Sequence, residues 1–166
     1  MKDLEFLPTS APSLREHSRK LEVEEVTTLE FQAYLDALTQ KMIAARGVGL
    51  ASPQIGENIR AIVIQPDPFD DPVVLINPVI IKKSENLADS EEGCFSVPGI
   101  YGIVQRHKKI TIRAINRYGR RVEFEAKNFE AFVLQHEIDH LDGILFTDKA
   151  EEKVMIDADG KTKRVH

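Results

Sequence analysis

Asn128-Phe129-Glu130-Ala131-Phe132-Val133-Leu134-Gln135-His136-Glu137-Ile138-Asp139-His140-Leu141-Asp142-Gly143 reads as one helix with chemistry built into it. Asn128 is a good N-cap residue, and Gly143 suits a left-handed exit past the last turn. Inside it stands His136-Glu137-Ile138-Asp139-His140, an H-E-x-x-H sequence. Positions four apart lie about 40° apart around the axis, so the two imidazoles share a face and can converge on one metal ion. Glu137 lies about 60° from His140, where its carboxylate can reach a metal-activated water without being a ligand. The competing reading of the pentapeptide alone is a helix with two incidental surface histidines.

A catalytic metal site needs a third protein ligand and an open position. Cys94 is the sole thiol of the chain and sits in Glu91-Glu92-Gly93-Cys94-Phe95-Ser96-Val97-Pro98-Gly99. Glycine on one side and Pro-Gly beyond predict a strand end or turn, where the backbone around Gly93 can approach a ligand closely. A Cys/His/His set suits Zn2+ or Fe2+. Buried packing is the alternative role for a lone cysteine. One cysteine also excludes an internal disulfide and points to a reducing compartment.

A third segment is Gly47-Val48-Gly49-Leu50-Ala51-Ser52-Pro53-Gln54. It follows a helix and lacks the GxxxxGK[ST] pattern, so it is no phosphate loop. It reads either as a plain cap and turn or as an exposed backbone edge that pairs with a peptide. In the second case Gln54 offers an amide donor toward a developing oxyanion.

Around these segments the pattern is α+β: antiparallel or mixed β-sheets packed around the central H-E-x-x-H helix, with a further helix near the N-terminus. That helix begins at Thr27 or Thr28, carries Phe31, Leu35, Leu38 and Met42 on one stripe, and ends at Gly47 by a left-handed glycine exit. Ala61–Ile64 and Val73–Ile76 are compact apolar runs. Residues 110–114 and 122–126 alternate apolar and polar around Asn116-Arg117-Tyr118-Gly119, the pattern of a hairpin with one wet face. Residues 1–26 read as an irregular arm and 147–166 as a charged tail, with a turn at Asp159-Gly160, all within a single catalytic domain of 166 residues. Lys and Arg total 22 against 27 Asp and Glu, which argues against a nucleic-acid footprint. No apolar run reaches the roughly 20 residues of a membrane span, and Met1-Lys2-Asp3-Leu4-Glu5 does not resemble a secretory signal.

Taken in order, the three segments resemble the peptide deformylase family, marked by G-x-G-x-A-A-x-Q, E-G-C-x-S and H-E-x-x-H. Ser52 stands where the second alanine is usual, Phe95 where leucine is commonest, and the long C-terminal helix of many family members is not evident. The resemblance implies a metal-dependent hydrolase that removes the formyl group from the N-terminal formyl-methionine of nascent polypeptides. It implies Cys94, His136 and His140 as ligands of one divalent ion, Fe2+ natively, with Zn2+ or Ni2+ as substitutes. Glu137 would move the proton, and Gln54 with the backbone N–H of Phe95 would face the oxyanion. The peptide would lie along Val48 and Gly49 and past Gly93, with its methionine against Val48, Phe95, Phe129, Phe132 and Val133. Glu92 and Arg106 would pair to brace the Cys94 segment. A cytoplasmic location and transient contact with the ribosome follow from such a substrate, with no membrane or direct nucleic-acid partner.

Two other readings use the same residues. A zincin-like endopeptidase shares H-E-x-x-H but draws a third His or Glu from farther along, and only His166 follows His140. A non-catalytic metal-binding protein would have no need of Glu137. Formate release from a formyl-Met peptide separates the three.

Overall fold

The computed structural model describes residues 4–157 and 159–165. Met1–Asp3 of the signal reading, and His166, lie outside the described residues. The helices are α1 (Val23–Val26), α2 (Leu29–Ala44), α3 (Asn128–Leu141) and α4 (Phe146–Lys149). The strands are β1 (Gly49–Ala51), β2 (Ala61–Ile64), β3 (Val73–Lys83), β4 (Leu87–Cys94), β5 (Val97–His107), β6 (Lys109–Asn116), β7 (Arg121–Lys127), β8 (Glu152–Ile156) and β9 (Thr162–Val165).

Two antiparallel sheets form, with strand orders β1-β2-β3-β6-β7 and β4-β5-β8-β9. The short run Ala61–Ile64 is apolar throughout because β2 is buried on both faces. Ile62 and Ile64 pack with Leu134, Ile138 and Leu141 of α3, while Ala61 and Val63 pack with Leu35, Leu38 and Met42 of α2. Each of these side chains larger than alanine contributes about 1.5–3 kcal/mol by leaving water. The helix α3 packs against β1 and β2 of one sheet and β5 of the other, so the H-E-x-x-H segment lies between them. At its C-terminus the buried Arg60 guanidinium donates to the Leu141 carbonyl at 3.2 Å and to Asp142 Oδ1 at 2.6 Å, a cation where the helix dipole is negative. Among the described residues no helix is long and apolar enough to cross a membrane.

Several local expectations change. The arm is not wholly irregular: a 3-10 turn spans Pro12–Arg15, α1 follows, and Leu14, Leu21 and Val26 are buried in the core. Their apolar positions are too widely spaced to form a periodic pattern. The charged tail contains β8, which pairs with β5, and β9, which pairs with β8. These strands are mostly exposed, so their sequence carries little apolar alternation. Thr28 caps α2 by accepting from the Phe31 N–H, as its type predicts. The left-handed residue at the other end is Arg46 (φ 56°), not Gly47. Gly143 does take the left-handed exit (φ 73°), but Asn128 is no side-chain cap. It is the first residue of α3, itself left-handed (φ 50°), with its N–H donated to the Lys108 carbonyl at 2.8 Å.

Candidate metal and peptide site

Two elements deliver the cluster. The helix α3 presents His136 and His140 from one face, and β4 ends at Cys94, where its register with β5 shifts. Ligand-type atoms of Cys94, His136 and His140 all lie within 4.8 Å of one another, with Cys94 Sγ 3.2 Å from His140 Nε2. The imidazole planes are steeply inclined, 75° at 5.0 Å between centroids, and Phe146 of α4 lies 6.1 Å from the His136 ring.

Behind the cluster, His136 Nδ1 meets Glu92 Oε2 at 2.7 Å. With Nδ1–H donated there, Nε2 keeps its lone pair for the cluster. Glu92 in turn accepts two bonds from Arg106, at 2.7 and 2.9 Å. Arg106 also donates to Asp139 at 2.6 Å, and Asp139 accepts from Lys149. The Glu92–Arg106 pair expected from the sequence is present. The side chains are 6% and 3% exposed, so the pair is buried and hydrogen-bonded on all sides. Asp139 and Lys149 went unrecognised: a charged residue inside a helix and another near a tail carry no spacing signal.

The electrostatics suit a cation. Burial disfavours a charge on His136, but its bonds with Cys94 and Glu92 outweigh this and raise its pKa to about 10. The same anionic surroundings that hold a proton there would favour a divalent ion in its place. Burial holds His140 neutral, well below its ordinary value, as a ligand imidazole must be. Burial likewise raises Glu92, but bonds from His136 and Arg106 prevail and bring it to about 2, so it stays ionised. For Glu137 burial prevails and raises the carboxyl to about 7, a value suited to taking and returning a proton at neutral pH. Its Oε2 is buried without a hydrogen-bond partner among the described residues.

Gln54 is buried, and its amide is oriented by the Ala51 N–H, which donates to Oε1 at 2.8 Å. That turns Nε2 toward the cluster, 3.3 Å from both Cys94 Sγ and Ser96 Oγ. The N–H groups of Phe95 and Val48 have no acceptor among the described residues. The Val48 carbonyl accepts from the Gln65 N–H at 2.8 Å, which leaves the N–H of that residue as its unused donor for a peptide. Gly49 faces Glu137: a Cβ there would sit 2.9 Å from the carboxyl carbon and overlap its oxygen. The glycines of this segment therefore serve close approach, not unusual φ.

These groups open on a cleft of about 570 Å³. Val48, Gly49, Gly93, Phe95, Phe129, Phe132 and Val133 all line it, together with Gln54, Cys94, His136 and Glu137. Ile100 and Tyr101 of β5 and Arg46 also line it and were not anticipated, because β5 gives no motif by which to single them out.

A buried carboxylate beside a sulfur–nitrogen–nitrogen donor set, at the head of an apolar cleft, defines a hydrolase of the H-E-x-x-H class. The polypeptide deformylase family model matches residues 4–155. The peptide deformylase of Desulforudis audaxviator is 45% identical over 139 residues, covering 84% of this chain and 88% of that one. Among solved structures, the peptide deformylase of Thermotoga maritima superposes with a TM-score of 0.84 at 31% identity, covering 91% of this chain and 99% of that one. The class I type b peptide deformylase of Acinetobacter baumannii, bound to Met-Ala-Ser, gives 0.84 at 30% identity over 88% and 97%. The chain belongs to the peptide deformylase family, and its activity is removal of the N-formyl group from nascent polypeptides.

Proposed function

We propose that Cys94, His136 and His140 hold one divalent cation and that the whole chain, 1–166, acts as one catalytic domain. The proposed native ion is Fe2+, with Zn2+ or Ni2+ as substitutes, since the mixed thiolate and imidazole set suits these borderline cations. When bound, the cation supplies Lewis acidity and lowers the pKa of water from 15.7 to roughly 7. Glu137 takes the proton of the attacking water and delivers it to the leaving amine, for which its raised pKa is suited. Gln54 Nε2 and the Phe95 N–H receive the charge that develops on the formyl oxygen; one such donor is typically worth about 10²–10³ in kcat.

The free Val48 N–H pairs with the peptide main chain at the edge beside Gly49, while Gly93, where a Cβ would lie 2.8 Å from the Tyr101 ring, leaves that ring its place in the cleft wall. The methionine side chain packs on Phe129, Phe132 and Val133. The Met-Ala-Ser peptide bound by the Acinetobacter baumannii enzyme has the methionine-first form this arrangement calls for. A cytoplasmic location with transient ribosome contact follows from a nascent-chain substrate.

The observation that carries the reading is the Cys94–His136–His140 cluster with the buried Glu137 carboxylate in the same cleft. The test is formate release from formyl-Met-Ala-Ser by protein reconstituted anaerobically with Fe2+, Ni2+ or Zn2+ separately. Formate with all internal peptide bonds intact is expected, fastest with Fe2+. Internal cleavage would restore the endopeptidase reading, and metal uptake without any turnover would restore the binding protein.

A further inference from the structure

We propose that the N-terminal arm is a clamp on the oxyanion donors, with Phe6 as its positioning residue. The proposal rests on the assignment of Gln54 and Phe95 made above. Phe6 stacks on Phe95, ring centroids 4.6 Å apart and planes 17° apart. The next residue, Leu7, donates its N–H to the Gln54 carbonyl at 2.8 Å. Thr9 Oγ1 donates to the carbonyl of Ser96. Three residues within one four-residue stretch thus hold two segments that are about forty positions apart in the chain and carry the two donors.

The grip on Phe95 is two-sided. A Cβ at Gly47 would lie 2.6 Å from the Phe95 ring, so the chain after α2 closes on the ring where Phe6 does not. Phe6 is itself fixed by α2, with Lys41 Nζ 4.7 Å from its ring centroid. A ring held this way fixes the backbone of the Cys94–Ser96 turn, and so the direction of the Phe95 N–H. Displacing a positioned group by about 1 Å is enough to cost 10²-fold in rate.

The experiment uses full-length, metal-loaded protein and formyl-Met-Ala-Ser. Phe6→Ala is expected to lower kcat about 10- to 100-fold with KM within about threefold and full metal content. Phe6→Tyr keeps the stack and should restore kcat. Leu4 packs on the same core, and neither the stack on Phe95 nor the hydrogen bonds to Gln54 and Ser96 involve it, so Leu4→Ala should lower the Tm and leave kcat intact. If Leu4→Ala lowers kcat as much as Phe6→Ala, the arm acts only through stability and the proposal is overturned. Should Phe6→Ala not fold, Thr9→Val, which removes one hydroxyl contact, should still lower kcat several-fold; an unchanged value would overturn the clamp. Gln54→Ala runs in parallel. Its full activity would overturn the donor assignment beneath the clamp, whereas loss there with undiminished kcat in Phe6→Ala overturns the clamp alone.

Discussion

Glu92 and His136 share a hydrogen bond of 2.7 Å that links β4 to the middle of α3, two residues before Cys94 on one side and at a proposed ligand on the other. The carboxylate is already held by Nε and Nη2 of Arg106, so its position is set before it orients the imidazole. Glu92→Ala would leave two donors of the buried Arg106 guanidinium unmet, with only Asp139 still paired to it, and would free the imidazole. Truncating one partner of a buried pair typically costs about 3–5 kcal/mol, and losing a hydrogen bond behind a ligand about 10–100-fold in metal affinity. Urea denaturation and metal titration of the same variant check both. Stability or metal affinity within error of the parent would show that the pair merely fills space.

Glu137 and Cys94 should fail in opposite ways. Glu137→Ala removes a group that touches no other polar side chain through Oε2, so metal content should be retained while formate release becomes undetectable. Cys94→Ala removes the sulfur 3.2 Å from His140 Nε2 and should lose the metal itself. Elemental analysis beside the formate assay separates them. Full turnover in the first variant, or full metal occupancy in the second, contradicts the assigned role.

Gly49→Ala tests close approach directly. Gly49 lies in β1 outside the left-handed region, so the backbone accepts alanine without strain. The new methyl would nonetheless press on the Glu137 carboxyl carbon, 2.9 Å away. A folded protein with kcat lowered about 10²-fold is expected, in keeping with a displaced proton carrier. Circular dichroism and steady-state kinetics suffice, and unimpaired kcat would mean that the carboxylate moves aside freely.

The three motifs were legible because each must hold a residue type at fixed spacing: imidazoles one helical turn apart, a thiol at a strand end, glycines where backbones meet side chains. The apolar run of β2 and the stripe of α2 were legible for the same reason, since burial imposes periodicity. What bound these parts together was not. Phe6 on Phe95, Arg106 on Asp139, and β8 on β5 are contacts across 89, 33 and about 50 positions. Such pairings leave no local pattern. Gly47 shows the subtler failure: the residue type was right for a helix end, but the left-handed turn falls on Arg46, and Gly47 is small because the Phe95 ring needs the space.

Ser52, the position where family members usually carry alanine, accepts a 2.7 Å hydrogen bond from the Tyr34 hydroxyl and is fully buried. Burial of Tyr34 raises its pKa above the ordinary 10, with the Ser52 bond opposing and Glu57 adding to the shift. The unfolded chain therefore releases this proton first as pH rises. Above pH 10 the folded state binds more protons than the unfolded one, so this contribution to stability falls with pH. At pH 11 the decline from this group is about 1.4 kcal/mol. Tyr34→Phe gives up the hydrogen bond, about 1 kcal/mol at pH 7, but has no proton to lose. Urea denaturation at pH 7, 10 and 11 should find the parent more stable at neutrality and the two proteins converging at pH 11. A gap that stays constant across that range would mean that the Tyr34 hydroxyl ionises as readily in the fold as in water.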